Sequence, residues 1–81
     1  MRIMVSGKNM EVTDALRDWV AKKVGKLERY FDPDTEAQVT MSVEKNRHIV
    51  EVTIPFDGVV LRGEESTDDM YTSIDRVLEK L

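Results

Sequence analysis

The chain has 81 residues, 41% hydrophobic and 35% charged, which fits one small domain and is too short for two cores. It contains no cysteine, so a disulfide-stapled scaffold, thiolate metal sites and cysteine nucleophiles are excluded, and no apolar run reaches signal-peptide or membrane-spanning length. A soluble protein of the reducing cytoplasm is expected, and at this size folding buries only about 60 to 65% of the unfolded surface, which leaves no room for a deep enzyme cleft.

Residues 2–6 place Ile3 and Val5 on one side and Arg2, Met4 and Ser6 on the other, the period-2 pattern of a half-buried strand. After a break at Gly7 to Asn9, Thr13 is suited to cap a helix whose apolar positions are Ala15, Leu16, Trp19, Val20, Val24, Leu27 and Phe31. This helix is expected over about residues 14–30, ended by Asp32-Pro33-Asp34. Gly25 inside it costs about 1 kcal/mol relative to alanine, which suggests close approach of the sheet or of a ligand. Residues 37–44 alternate cleanly as a second strand, Lys45-Asn46-Arg47 forms a polar turn, and Val50, Val52 and Ile54 mark a third strand before Pro55. Asp57-Gly58 is a tight-hairpin signal, with a fourth strand over residues 59–64. Ser66 followed by Asp69 has the spacing of a capping box, and Met70, Ile74, Val77, Leu78 and Leu81 form a second helical stripe. That stripe runs to the last residue without a stop signal, so a domain cut inside its second helix is expected. The predicted fold is α+β, a two-layer β-α-β-β-β-α sandwich resembling double-stranded-RNA-binding folds. Both helices cover the apolar face of a four-stranded sheet, with strand one parallel to strand two.

Sixteen acids against twelve bases give a net charge of -4, which argues against a nucleic-acid partner unless the bases are gathered in one place. Between Arg17 and Arg29 five bases meet two acids, while acids collect at residues 32–36 and 64–69, so an electrically two-sided molecule is expected. Lys22, Lys26 and Arg29 share one exposed helical row with Lys23 beside it, a spacing compatible with RNA phosphates and equally with a solvated face; Asp18, Lys22 and Glu28 also permit intrahelical ion pairs. Asp32, Asp34 and Glu36 begin like a calcium loop but lack its sixth-position glycine and twelfth-position glutamate. Asp68 and Asp69 are best explained by helix capping. His48 has no serine, cysteine or second histidine in a patterned relation to it, and no metal, cofactor, phosphate-loop or small-molecule site is expected. Trp19 belongs to the core with its N–H near the edge. Tyr30 stays open, and Tyr71 fits helix packing better than nucleotide stacking.

Three blocks, Asn9-Met10-Glu11-Val12-Thr13-Asp14-Ala15-Leu16-Arg17-Asp18, Lys26-Leu27-Glu28-Arg29-Tyr30-Phe31-Asp32, and Asp69-Met70-Tyr71-Thr72-Ser73-Ile74-Asp75 with Glu79-Lys80-Leu81, closely resemble the ribosome hibernation-promoting factor family over essentially the whole chain. Residues 50–55 look more like its long form, which carries a linker and a second domain used in ribosome pairing. The resemblance implies a stress or stationary-phase protein that binds the small ribosomal subunit and its rRNA in the channel used by messenger and transfer RNA, without chemistry. The matching RNA-facing positions are Lys23, Lys26 and Arg29 on helix one and Lys80 on helix two, with Lys22, Arg62 and Arg76 as further candidates. A different possibility is a protein-interaction module using the open sheet face or an edge strand.

Overall fold

The computed structural model describes residues 1–81. The elements follow the expected order: β1 (Arg2–Lys8), α1 (Asp14–Val24), a 3-10 helix (Gly25–Tyr30), β2 (Glu36–Glu44), β3 (Arg47–Phe56), β4 (Val59–Thr67) and α2 (Met70–Glu79). The sheet runs in the order β1-β2-β3-β4, with β1 parallel to β2 and the remaining pairs antiparallel. A parallel neighbour requires a crossover long enough to span the sheet, and α1 with its 3-10 extension supplies it.

Register explains why both helices take one side. Val39 lies opposite Val5 and Val52, and Val52 lies opposite Gly63, so alternate residues of every strand point to the same layer. Ala37, Val39, Met41, Val50, Val52 and Ile54 are buried there against Leu16, Val20 and Val24 of α1 and Met70, Ile74 and Val77 of α2. The other face carries Gln38, Thr40, Ser42, Glu51, Thr53, Arg62 and Glu64. Gly63 sets how closely α2 sits on β4: a Cβ there would lie 3.3 Å from both Val77 Cγ2 and Leu81 Cδ2.

Local signals account for most boundaries. The Thr13 side chain accepts from the Leu16 N–H at 3.1 Å, which makes it the N-cap of α1. Asp57 and Gly58 have φ of 52° and 83°, the left-handed pair that a two-residue hairpin requires. Lys45 also takes a positive φ, of 55°, in a turn that occupies Lys45 and Asn46 and hands Arg47 to β3. Pro55 lies within β3 and not beyond it, on the open face near the end of the strand.

Two expectations are corrected. The first helix is not α-helical to residue 30: it tightens to 3-10 winding at Gly25. Ser66 does not cap α2, because β4 extends through Thr67, where the Ser66 hydroxyl accepts from Arg47 Nε at 2.8 Å. Asp69 is the cap, its carboxylate accepting from the Thr72 N–H at 2.9 Å and the Thr72 hydroxyl at 2.8 Å. Behind it the Ser73 hydroxyl donates to the His48 carbonyl and lies 2.7 Å from Thr67 Oγ1, pinning the start of α2 to β3 and β4.

The Thr72 N–H, then the Thr72 hydroxyl, hold the Asp69 carboxyl below the usual aspartate range. A lowered folded-state value means that the unfolded chain binds more protons as pH falls past about 4, so this contribution is present above that pH and lost below it. Asp69→Ala is expected to lower the melting temperature at pH 7. Asp69→Asn, an equally good cap, is expected to retain most of it while weakening the acid dependence, as checked by thermal melts from neutral to acid pH.

Candidate nucleic-acid interface

The change of winding at Gly25 arranges the cationic end of the first helix. With three residues per turn, side chains at i and i+3 eclipse, so Lys26 stands over Arg29 in one column and Leu27 over Tyr30 in the next. Lys26 and Arg29 are exposed and share a notch with Gly25 and Glu28, and Lys22 is exposed one turn earlier on α1. The suggestion that Gly25 admits the sheet is overturned: its backbone is ordinary right-handed helix, and a Cβ there would meet no atom within 4 Å. Gly25 therefore opens onto solvent beside the two cations.

Lys23 has a different environment. Its ammonium lies 4.8 Å from the centre of the Trp19 ring and 3.9 Å from Asp75 Oδ1, and its side chain is 27% exposed. Asp75 also accepts the Trp19 indole N–H at 3.0 Å, and Tyr71 meets Trp19 edge to face at 5.3 Å. Lys23 thus helps clasp α1 to α2. This packing accounts for Tyr71, and Trp19 is half-buried at the helix seam, with its N–H satisfied at the edge as expected.

The other candidates scatter. Lys80 pairs with Glu65 at 3.0 Å and reaches the Glu64 carbonyl at 3.3 Å. That ammonium, followed by the Ser66 N–H, holds the Glu65 carboxyl below its usual range. Arg76 is exposed on α2 and contributes more weakly to the same shift. Arg62 lies opposite Thr53 on the open sheet face, away from the helices. The three ion pairs are Arg2–Glu36, Lys23–Asp75 and Lys80–Glu65, so the intrahelical pairs permitted by Asp18, Lys22 and Glu28 do not form. Lys22, Lys26 and Arg29 remain as one row without a carboxylate partner.

Asp75 was not visible as a site residue in the sequence, because its role depends on which helix faces which; its only prior signal is its place one turn after Tyr71. Between the helices a groove is lined by Lys23, Lys26 and Leu27 on one side and Asp75, Leu78 and Glu79 on the other. No group of three or more histidine or acidic side chains is placed to hold a metal ion. The Ser73 hydroxyl meets the His48 backbone carbonyl and not its imidazole, whose buried Nδ1 has no partner. No helix is long and apolar enough to cross a membrane.

Trp19→Phe removes the hydrogen bond to Asp75 together with part of the ring and is expected to cost about 1 to 2 kcal/mol. Trp19→Ala should cost nearer to about 3 kcal/mol, at the low end for a large aromatic because the ring is only half-buried. Urea unfolding of the two variants checks both values. Gly25→Ala is expected to stabilise by about 0.5 to 1 kcal/mol in the same assay.

The architecture is shared with known proteins. A family described as Sigma 54 modulation protein / S30EA ribosomal protein matches residues 3–81. The ribosome hibernation promoting factor of Azotobacter vinelandii is 42% identical over 81 residues, covering 100% of this chain and 76% of that protein. The ribosome hibernation promotion factor of Staphylococcus aureus (strain COL) is 43% identical over an 84-residue alignment, covering 100% of this chain and 44% of that protein. The crystal structure of the Thermus thermophilus Protein Y N-terminal domain superposes with a TM-score of 0.88 at 37% identity, covering 99% of this chain and 90% of that one. A ribosomal subunit interface protein from Coxiella burnetii shares the fold, with a TM-score of 0.86 at 23% identity over 99% of this chain and 88% of that one. With the family match running almost end to end and two curated relatives above two-fifths identity, this chain belongs to the Sigma 54 modulation protein / S30EA ribosomal protein family, alongside the ribosome hibernation factors.

Proposed function

We propose that this domain binds the small ribosomal subunit through its rRNA, occupies the path of messenger and transfer RNA, and so blocks translation under stress or in stationary phase. It does so in the cytoplasm, by occupancy and without catalysis. The observation that carries this reading is the row Lys22, Lys26 and Arg29: three exposed bases on one helical edge, none paired with a carboxylate. Bases without a carboxylate partner are free to neutralise phosphates, and the counterions they displace from RNA drive association. The rigid two-layer body beside them selects by fit, since helical RNA is recognised mainly by shape and backbone contacts.

The seven candidate bases take unequal parts. Lys22, Lys26 and Arg29 contact phosphates directly. Lys23 and Lys80 chiefly hold the helices in place, each through its own carboxylate. Arg76 extends the basic surface along α2, whereas Arg62 lies behind the sheet and serves only if RNA wraps to that side. The names of the A. vinelandii and S. aureus relatives support the ribosome as partner.

Replacing Lys22, Lys26 and Arg29 together with glutamate is expected to abolish most ribosome cosedimentation while changing stability by no more than about 0.5 kcal/mol per site. Each neutralised contact should also remove about 0.7 to 0.9 from the slope of log affinity against log salt. Binding that survives the triple replacement with an unchanged salt slope would instead favour a protein partner on the open sheet face or an edge strand, where backbone pairing responds little to salt.

A further inference from the structure

Lys26 and Arg29 account for phosphates, but the neighbouring column of the same 3-10 helix has a different chemistry. Tyr30 is 58% exposed, and Phe56, across the β3–β4 hairpin, is 44% exposed. Phe31 meets Phe56 edge to face at 5.3 Å. These three rings line one side-opening groove of about 270 Å³ whose walls are entirely apolar or aromatic, with Leu27 above Tyr30. Rings gathered into one contiguous exposed patch mark binding sites more often than singly exposed ones do.

Arg29 joins the two columns. Its guanidinium lies 4.9 Å from the Tyr30 ring centre, and its Nη2 donates to the Tyr30 hydroxyl at 2.9 Å. The phenol is thereby held in place, so a ligand stacking on it loses little further side-chain freedom. A flat ring next to Arg29, with Lys26 one 3-10 turn from Arg29 and neither cation paired with a carboxylate, matches the chemistry of a nucleotide, a π-face joined through a sugar to a phosphate. Gly25 adds no side chain of its own to the notch it shares with Lys26, Arg29 and Glu28, and a phosphate can approach the two cations there over bare backbone. Glu28 lines the notch with the two cations, and Asp32 lines an adjoining pocket with Tyr30 and Phe56, so the corner suits a single phosphate rather than a run of them.

We propose that the end of the first helix is a one-nucleotide site for unpaired RNA, with the base stacked on Tyr30 against the Phe31–Phe56 groove and its phosphate held by Lys26 and Arg29. This deepens the ribosomal reading and rests on it. Base stacking adds affinity without releasing counterions, so Tyr30 and the cations leave different signatures: one sets the level of binding and the other its dependence on salt.

The test is a salt titration of binding to purified small ribosomal subunits for Tyr30→Ala, Tyr30→Leu and Tyr30→Phe, beside a Lys26→Glu/Arg29→Glu double variant, with circular dichroism melts of each. Tyr30→Ala and Tyr30→Leu are expected to weaken binding by about five- to hundredfold at every salt concentration with an unchanged slope, the range for one base on one ring. Tyr30→Phe, which keeps the ring but loses the Arg29 hydrogen bond, should fall between the parent and Tyr30→Ala, and all melts should be similar. If the charge variant loses binding while Tyr30→Ala binds like the parent, the stacking site is refuted and the ribosomal reading stands. If Tyr30→Leu restores what Tyr30→Ala loses, the contact is apolar filling and not stacking. A flattened slope in Tyr30→Ala would show that the ring acts only by positioning Arg29. If neither charge nor ring matters, both the site and the reading fall.

Discussion

The sheet has one apolar face, and this constraint organises the domain. Ala37, Val39, Met41, Val50, Val52 and Ile54 all point to one layer because the β2–β3 register places like beside like. Only that side repays burial, at about 25 cal/mol per Å² of apolar surface removed from water. Both helices must therefore lie on it, side by side, whatever their own propensities. The right-handed crossover from β1 to β2 then sets α1 over the β1 side, and Gly63 lets α2 settle over β3 and β4. A helix with one face on a sheet and one flank on another helix has a single edge left for solvent. On α1 and its 3-10 extension that edge carries Lys22, then Lys26 and Arg29.

The same packing explains why bases adjacent in the sequence have different roles. Lys22 and Lys23 differ by one residue, hence by roughly 100° around the helix, which turns Lys22 to water and Lys23 into the seam with α2. There Asp75 accepts the Trp19 N–H and faces the Lys23 ammonium. A half-buried carboxylate with two donors is well satisfied, whereas alone it would carry a desolvation cost. Lys23 thus helps to fix the angle between the helices that carry the exposed bases.

What could be read in the sequence follows from the range of the forces involved. The Thr13 cap, the Asp57-Gly58 hairpin and the alternation of β2 are local, and each is found where expected. The Ser66–Asp69 spacing was misleading because Arg47 on the neighbouring strand holds Ser66 in β4 by bonds to both its hydroxyl and its carbonyl, leaving Asp69 to cap. Likewise the periodicity up to Phe31 is compatible with α or 3-10 winding, since both place residues three apart on one side. The basic row survives either geometry. Its division from the Leu27–Tyr30 column does not, and neither do the partners of Lys23 and Lys80, which come from elements more than a dozen residues away.

Net charge and local charge act on different length scales. The acids of the open sheet face include Glu51 and Glu64, directly opposite each other across β3 and β4, an arrangement that costs stability through like-charge repulsion. Between that face and the outer edge of α1 lie the sheet and a helix layer stacked on it, about 10 Å from sheet to helix axis and more to the edge itself. Physiological salt screens exposed charges over about 8 Å. An anion approaching Lys22, Lys26 and Arg29 therefore experiences those three bases, Glu28 and the inter-helix carboxylates far more strongly than the sheet face behind them. The total of -4 governs behaviour at a distance, where it repels polyanions and keeps free copies apart. Once the first phosphate is within a Debye length of the row, the local balance decides. On the proposed reading, such a charge layout disfavours stray polyanions and favours a shaped site that holds phosphates against that one edge, so the acidic total works for selectivity instead of against binding.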